Sequence, residues 1–293
     1  MTGAAVPEPA PDDVVVEVDD VTLRFGGVTS LSGVSMAQRR GEILSVIGPN
    51  GAGKTSLFNC LSGVYRPQSG SITFVGADGR RVPLVGLRPD RVNRLGIART
   101  FQTSRLFNAL TAFENVKIGV ESLQHTGPLG AMLRLPRARR EERESDARTE
   151  ELLDFVGLSG RANELASALP YGDQRRLEIA RALATSPSVL LLDEPAAGTN
   201  PVEKAALERL IRRVNGEMGV SVLLIEHDMR LVMSVAERVV VLNFGRVIAS
   251  GTPAEVQRDP LVIEAYLGRE TEEHDAGPES ADDGAPRDTD GAG

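Results

Sequence analysis

The sequence predicts an α/β fold with a mostly parallel sheet core and an inserted helical subdomain. Three observations lead there. Four short runs, ILSVI (43 to 47), VLLL (189 to 192), VLLI (222 to 225) and VVVL (239 to 242), are apolar on both faces, as buried parallel strands are. Helical patterns separate these runs, and between Thr103 and Pro187 strand signals are scarce. Three of the runs lead directly into polar residues: Gly48, Asp193-Glu194 and Glu226-His227. In open parallel sheets ligands bind beyond the carboxyl ends of the strands, so those three ends are expected to converge on one site.

Taken in order, residues 1–12 are rich in Pro, Ala and acid and read as a disordered tail. Residues 13–101 form the first part of the sheet domain, in which the 43 to 47 strand runs into GPNGAGKT (48 to 55). A helix then follows with Leu57, Leu61 and Val64 on one face. Residues 102–187 are the helical subdomain. Its charged run RARREERESDARTEE (137 to 151) reads as a solvated helix face, with Glu144 spaced to support Arg148. Residues 188–268 return to the sheet with the remaining strands, and 269–293 form an acidic tail expected to be disordered.

Composition excludes several classes. The chain is long enough, and at 41% hydrophobic content apolar enough, for a sizeable core. Its net charge of -8 equals the balance of the segment from Glu270 onward, where nine acids face Arg287 alone, so the body is neutral. Charge therefore gives no reason to expect a nucleic-acid partner. The single cysteine, Cys60, rules out an intramolecular disulfide or a cysteine-based zinc site and fits a reducing cytoplasm; a buried structural thiol is expected. The N-terminus lacks the apolar core of a signal peptide, and no run of about 18 apolar residues could span a bilayer.

The chemistry begins at Gly48. GPNGAGKT fits the phosphate loop GxxxxGK followed by Ser or Thr, and it lies between an apolar strand and a helix, as that motif requires. Its glycines let backbone N–H groups face phosphates, Lys54 adds a point charge at the β and γ phosphates, and Thr55 offers a hydroxyl to Mg²⁺. Asp193, at a strand end, is suited to hold Mg²⁺ directly or through water. Glu194 beside it could orient and deprotonate an attacking water, although a carboxylate pair could also cap the following turn. These motifs describe a P-loop NTPase.

LPYGDQRR (169 to 176), followed by LEIARAL and the Asp-Glu strand, resembles the signature of ABC ATPases, whose common form is LSGGQ. Other marks follow in the family's order, from about Val14 to Gly268. The resemblance implies an N-terminal antiparallel β region and adenine stacking by Phe25. It also implies ATP contacts from Gly48, Pro49, Asn50, Gly51, Ala52, Gly53, Lys54, Thr55 and Ser56, and Mg²⁺ contacts from Thr55, Gln102 and Asp193. Catalytic roles fall to Glu194, to His227 as the switch histidine and to Gln102 of the Q-loop, while Ala197 to Asn200 match the D-loop. Two ATPase subunits pack head to tail in the family, so Tyr171, Gly172 and Asp173 would face the nucleotide of a second subunit, identical or paralogous.

The wording RTFQTSRLFNALTAFENV, DEPAAGTNP, LLIEHDMRLVM and VIEAYLG is similar to the longer ATPase subunit of branched-chain amino acid importers. Two membrane permeases, an extracytoplasmic substrate-binding protein acting indirectly and a peripheral place on the cytoplasmic face of the membrane are thereby implied. Urea or amide importers and lipopolysaccharide-export ATPases of the same branch are the alternatives. A soluble ABC ATPase of DNA repair or translation is the alternative of another class. The stretch from Thr55 to Leu169 is too short for the coiled coils of repair members, and a single phosphate loop contrasts with the fused pair of translation members.

Two departures in the signature and one in the D-loop bear on the partner's site. Pro170 replaces the signature serine, Asp173 replaces its glutamine, and Asn200 stands where the D-loop usually has Asp. Pro170 removes a hydroxyl and an N–H, and Asp173 repels phosphate unless Arg175 or Arg176 offsets it, so a functional but weakened half-site is expected.

Overall fold

The computed structural model describes residues 13–100, 106–122 and 136–266. An antiparallel hairpin opens the chain, β1 (Val14–Phe25) with β2 (Val28–Arg39). With β4 (Ser69–Val75) and β5 (Arg81–Pro83) it makes a four-stranded sheet in the order β2-β1-β4-β5. The remaining strands, β3 (Ile43–Ile47), β6 (Ile97–Arg99), β7 (Val189–Asp193), β8 (Ser221–Ile225), β9 (Arg238–Asn243) and β10 (Arg246–Gly251), form a second sheet. Its order is β10-β9-β3-β8-β7-β6, parallel except where β10 turns back on β9.

Every residue of β3, β7 and β8 is buried. Side chains alternate between the two faces of a strand, so each continuous apolar run feeds two cores. Val189, Leu191, Leu223 and Ile225 face the antiparallel sheet, where Val16, Val18 and Leu23 meet Leu57 and Phe58. Leu190, Leu192, Val222 and Leu224 face the opposite side and pack on Leu152, Leu177, Leu183, Leu207 and Leu210. Burying each such side chain contributes about 1.5–3 kcal/mol. A third cluster joins Ile47, Val239 and Val241 to Val232, Val256 and Val262.

The helices are α1 (Lys54–Leu61), α2 (Pro89–Leu95), α3 (Ala112–Glu121), α4 (Pro136–Phe155), α5 (Tyr171–Leu183), α6 (Pro201–Met218), α7 (Met229–Val235) and α8 (Pro253–Val256). Among the described residues no strand lies between Arg99 and Val189, and α3 packs on both α4 and α5. Thr111 caps α3 in a reciprocal pair with Glu114, which explains the helix start.

Two details differ from the sequence reading. Val64 is exposed and lies past α1, because Gly63 takes the left-handed conformation (φ 75°) and the Val64 N–H turns back to the Asn59 carbonyl at 2.8 Å, which ends the helix. In α4, Glu144 takes Arg140 at 2.7 Å and Arg148 takes Glu151 at 3.0 Å, so the Glu144 to Arg148 pair does not form. These are exposed pairs in which a choice of partner costs little.

Candidate functional site

The phosphate loop follows from where β3 stops. Gly48 has φ 149°, and a Cβ there would fall 2.0 Å from the Leu242 carbonyl oxygen of the neighbouring strand. Gly53 has φ 104°, and a Cβ would fall 2.7 Å from the Ser30 carbonyl oxygen of β2. Only glycine lets the loop pass between these strands and then enter α1 at Lys54. The Gly245 N–H donates to the Ala52 carbonyl at 2.9 Å, and the Ser30 hydroxyl to the Ser56 hydroxyl at 2.7 Å, which pins the loop on both sides. Lys54 is buried, and its Nζ donates to the carbonyls of Gly48 at 2.6 Å and Pro49 at 3.0 Å. Pro49 and Ala52 are also buried, whereas Asn50, Gly51 and Thr55 are exposed, Thr55 at the positive end of α1.

Strand register brings the other ends alongside. β8 lies between β3 and β7 and runs parallel to both, so Gly48, Glu226 and Asp193 emerge on one edge. Asp193 is buried, and its Oδ2 accepts from Arg99 at 2.7 Å. The same guanidinium donates to Asn59 at 2.7 Å and to Ser62 at 2.9 Å, joining α1 to β7 across β6. Glu194 has φ 49°, a region disfavoured for a residue with a side chain, and its N–H is held by the Ile225 carbonyl at 2.9 Å. His227 Nε2 lies 2.7 Å from Glu194 Oε1. A nucleophile-activating carboxylate held by a ring nitrogen is an arrangement able to accept a proton from water.

Glu226 was read only as a polar strand end, yet it organises this edge. Its Oε1 accepts the Ala196 N–H at 2.7 Å, and its Oε2 accepts the N–H groups of His227 at 3.0 Å and Asp228 at 3.3 Å. Burial pushes its carboxyl above the usual glutamate value, against the pull of those N–H groups. Asp228 caps α7 and meets Lys204 at 2.6 Å, a pairing that holds its carboxyl below the ordinary range. Arg99 was missed altogether, since a lone arginine in IARTFQ gives no signal of its partner.

Phe25 is half-exposed at the tip of the β1-β2 hairpin, its ring edge-on to Tyr65 with centroids 5.1 Å apart. The hairpin also supplies Ser30 to the phosphate loop, so an apolar platform stands on the loop's flank. Gln102 lies outside the described residues. A cavity of about 350 Å³ is lined by Arg99, Thr100, Phe107, Ile118, Glu178 and Arg181. The Arg181 guanidinium sits 5.4 Å over the Phe107 ring there.

The signature opens α5, with Pro170 as N-cap residue. Asp173 is neutralised within the subunit: Arg161 lies 3.2 Å from one oxygen and Arg176 holds the other. Arg175 turns the other way, to Glu178 at 3.0 Å and to the Tyr171 hydroxyl. Asn200 caps α6, accepting from Val202 at 2.9 Å and Glu203 at 3.0 Å. Beyond α5, side chains of the signature also bond Val156, Gly157, Arg161 and Ala197.

A family profile described as ABC transporter matches residues 31–197, and one described as branched-chain amino acid ATP-binding cassette transporter matches residues 246–272. The high-affinity branched-chain amino acid transport ATP-binding protein LivG of Salmonella typhimurium is 45% identical over 254 residues, 87% of this chain and 98% of that protein. The ADP conformation of MJ1267, an ATP-binding cassette of an ABC transporter, superposes with a TM-score of 0.74 at 29% identity, covering 87% of this chain and 99% of that one. The dimeric post-hydrolysis state of the cassette MJ0796 bound to ADP and Pi superposes at 0.67 with 26% identity, covering 81% and 98%. A nucleotide-binding loop at the carboxyl edge of a parallel sheet, an antiparallel β region beside it and a profile match over more than half the chain lead to one conclusion: the chain belongs to the ABC transporter family, as an ATP-binding subunit.

Proposed function

We propose that this chain is the ATP-hydrolysing subunit of an importer for branched-chain amino acids. The observation that carries the substrate class is the match of residues 246–272 to the branched-chain profile, beside the likeness to LivG over nearly its whole length. ATP binds with its phosphates in the 48–55 loop, where Lys54 and the N-terminus of α1 meet their charge, and its base on Phe25. Thr55 and Asp193, both hard oxygen donors at one edge, fit Mg²⁺, with Gln102 as a further ligand outside the described residues. When bound, Mg²⁺ neutralises charge on the phosphate oxygens. Glu194 takes a proton from the attacking water, and His227 holds the carboxylate in place for that step. Glu226 fixes the backbone on which both stand.

The partner side follows from the helix termini. The positive end of α5, at Tyr171 to Asp173, would approach the γ phosphate on a second ATPase subunit, as in a head-to-tail dimer. Two permease subunits dock at the cavity flanked by Phe107 and Ile118 and transmit dimer closure to the membrane. Among the described residues no helix is long and apolar enough to cross a membrane, so attachment to the cytoplasmic face runs through those permeases.

The test is reconstitution of the chain with its permeases, its paired ATPase and its binding protein in liposomes. Leucine, isoleucine or valine should stimulate ATP hydrolysis and accumulate inside. Stimulation by urea or amides with none by these amino acids overturns the substrate; hydrolysis unaffected by Lys54→Ala overturns the ATPase.

A further inference from the structure

The common signature carries glycine where this chain has Tyr171, and the tyrosine is fully engaged. Its hydroxyl donates to the Ala197 carbonyl at 2.9 Å and accepts two N–H groups of Arg175, Nη2 at 2.6 Å and Nε at 3.1 Å. The Arg175 guanidinium also lies 5.1 Å from the ring centroid, and it is buried and anchored by Glu178 at 3.0 Å. An aromatic ring thus bridges the first turn of α5 and the 197–200 turn.

The bridge is reciprocal. A Cβ on Gly198, whose φ is 76°, would come within 3.3 Å of the Tyr171 ring. A Cβ on Gly172 would fall 2.6 Å from Glu203 Oε1, and that Glu203 accepts the Asn200 N–H at 2.9 Å. Gly198 and Gly172 therefore each omit a side chain where Tyr171 and the first turn of α6, through Glu203, insert one. From Ala197 the backbone leads to Ala196, whose N–H is held by Glu226, and Glu226 in turn holds the N–H of His227.

We propose that Tyr171 is a positioning residue that locks the signature to the D-loop of its own subunit, so that the surface offered to the partner's nucleotide and the turn following Glu194 move as one body. The proposal rests on the two-subunit reading above. It makes completion of the partner's ATP site sensitive to the state of Glu194 and His227, through hydrogen bonds within one chain.

Tyr171→Phe keeps the ring and removes the hydroxyl; Tyr171→Gly restores the residue of the common signature and removes both. Hydrogen exchange on the full chain is the first readout. In Tyr171→Phe, amides 171–174 and 196–203 should exchange faster together while 48–56 stay as in the parent. Unchanged exchange at 196–203 in both variants overturns the lock.

The second readout is ATP-driven dimer formation in a Glu194→Gln background, with the chain mixed with whichever ATPase subunit it pairs with. Tyr171→Phe should raise the ATP concentration for half-maximal pairing about 5-fold or more, with affinity for a fluorescent ATP analogue at the unpaired chain's own phosphate loop unchanged. A role confined to fold stability would instead lower both affinities or neither. Failure of the Glu194→Gln chain to pair at all, with Tyr171 intact, would sink the two-subunit reading and not the lock, which the exchange experiment still decides.

Discussion

His227 Nε2 stands 2.7 Å from Glu194 Oε1, although Glu194 follows β7 and His227 follows β8. The contact exists because β7 and β8 are parallel neighbours whose carboxyl ends coincide, Asp193 facing Ile225 in register. It sets the first expectation. Glu194→Gln should lower phosphate release about 10²-fold or more while ATP binding, read by fluorescent-nucleotide titration, is retained. His227→Ala should lower the rate with Glu194 still present, since the base survives without its holder.

Arg99 joins Asp193, Asn59 and Ser62 with side-chain exposure of only 8%. Arg99→Met leaves the Asp193 carboxylate buried without its counter-charge, a loss of about 3–5 kcal/mol in chemical denaturation. Arg99→Lys keeps a charge but cannot reach three partners at once, so its midpoint should fall between the two. Equal stability of Arg99→Met and the parent would contradict this account.

Glu226 satisfies three backbone N–H groups with two oxygens, the one at Ala196 buried. Glu226→Gln is isosteric but turns an N–H₂ toward one side of that set, so about 1–3 kcal/mol of stability should be lost. Because those N–H groups belong to Ala196, His227 and Asp228, the ATPase rate should fall as well, with ATP affinity little changed.

The signature departures now separate. Asp173 is already compensated by Arg161 and Arg176, so Asp173→Gln should give no gain in ATP-driven pairing and cost little stability, since Arg161 keeps Glu164 and Arg176 keeps the Val156 and Gly157 carbonyls. Pro170→Ser, which restores a hydroxyl and an N–H at the cap of α5, should improve pairing. Light scattering against ATP concentration compares them, and a larger gain from Asp173→Gln would show that its charge reaches the partner's phosphate.

Cys60 is buried on the inner face of α1, and burial pushes its thiol from 9.0 up to about 11. The native state holds this proton more tightly than the unfolded chain does. Its contribution to stability is therefore present below pH 9 and declines as pH rises from 9 towards 11. At pH 8 an aromatic disulfide reagent should find no reactive thiol in the native protein and one in denaturant.

The strands were legible because burial on both faces leaves continuous apolar runs, as in Val189 to Leu192, and the phosphate loop because its glycines, lysine and threonine are consecutive. The three-residue β6 was not, since it depends on its neighbour β7, and the end of α1 before Val64 was missed because it rests on the left-handed turn at Gly63. Charge pairing was legible only as possibility. Glu144 had two arginines within helical reach, and which one it took is a matter of rotamers.

By itself the sequence determined the α/β class, the phosphate loop, the Asp193-Glu194 strand end and the family resemblance, because each is written in contiguous residues whose spacing matches one backbone period or one loop. Tertiary structure alone decided that Arg99 neutralises Asp193, that Glu226 holds the Ala196 N–H, that Arg161 reaches Asp173, and that Tyr171 reaches Ala197. Those pairs join residues from different elements. Hydrogen bonds and ion pairs act over about 3 Å, so only the packing of one element on another selects which of many polar side chains meet.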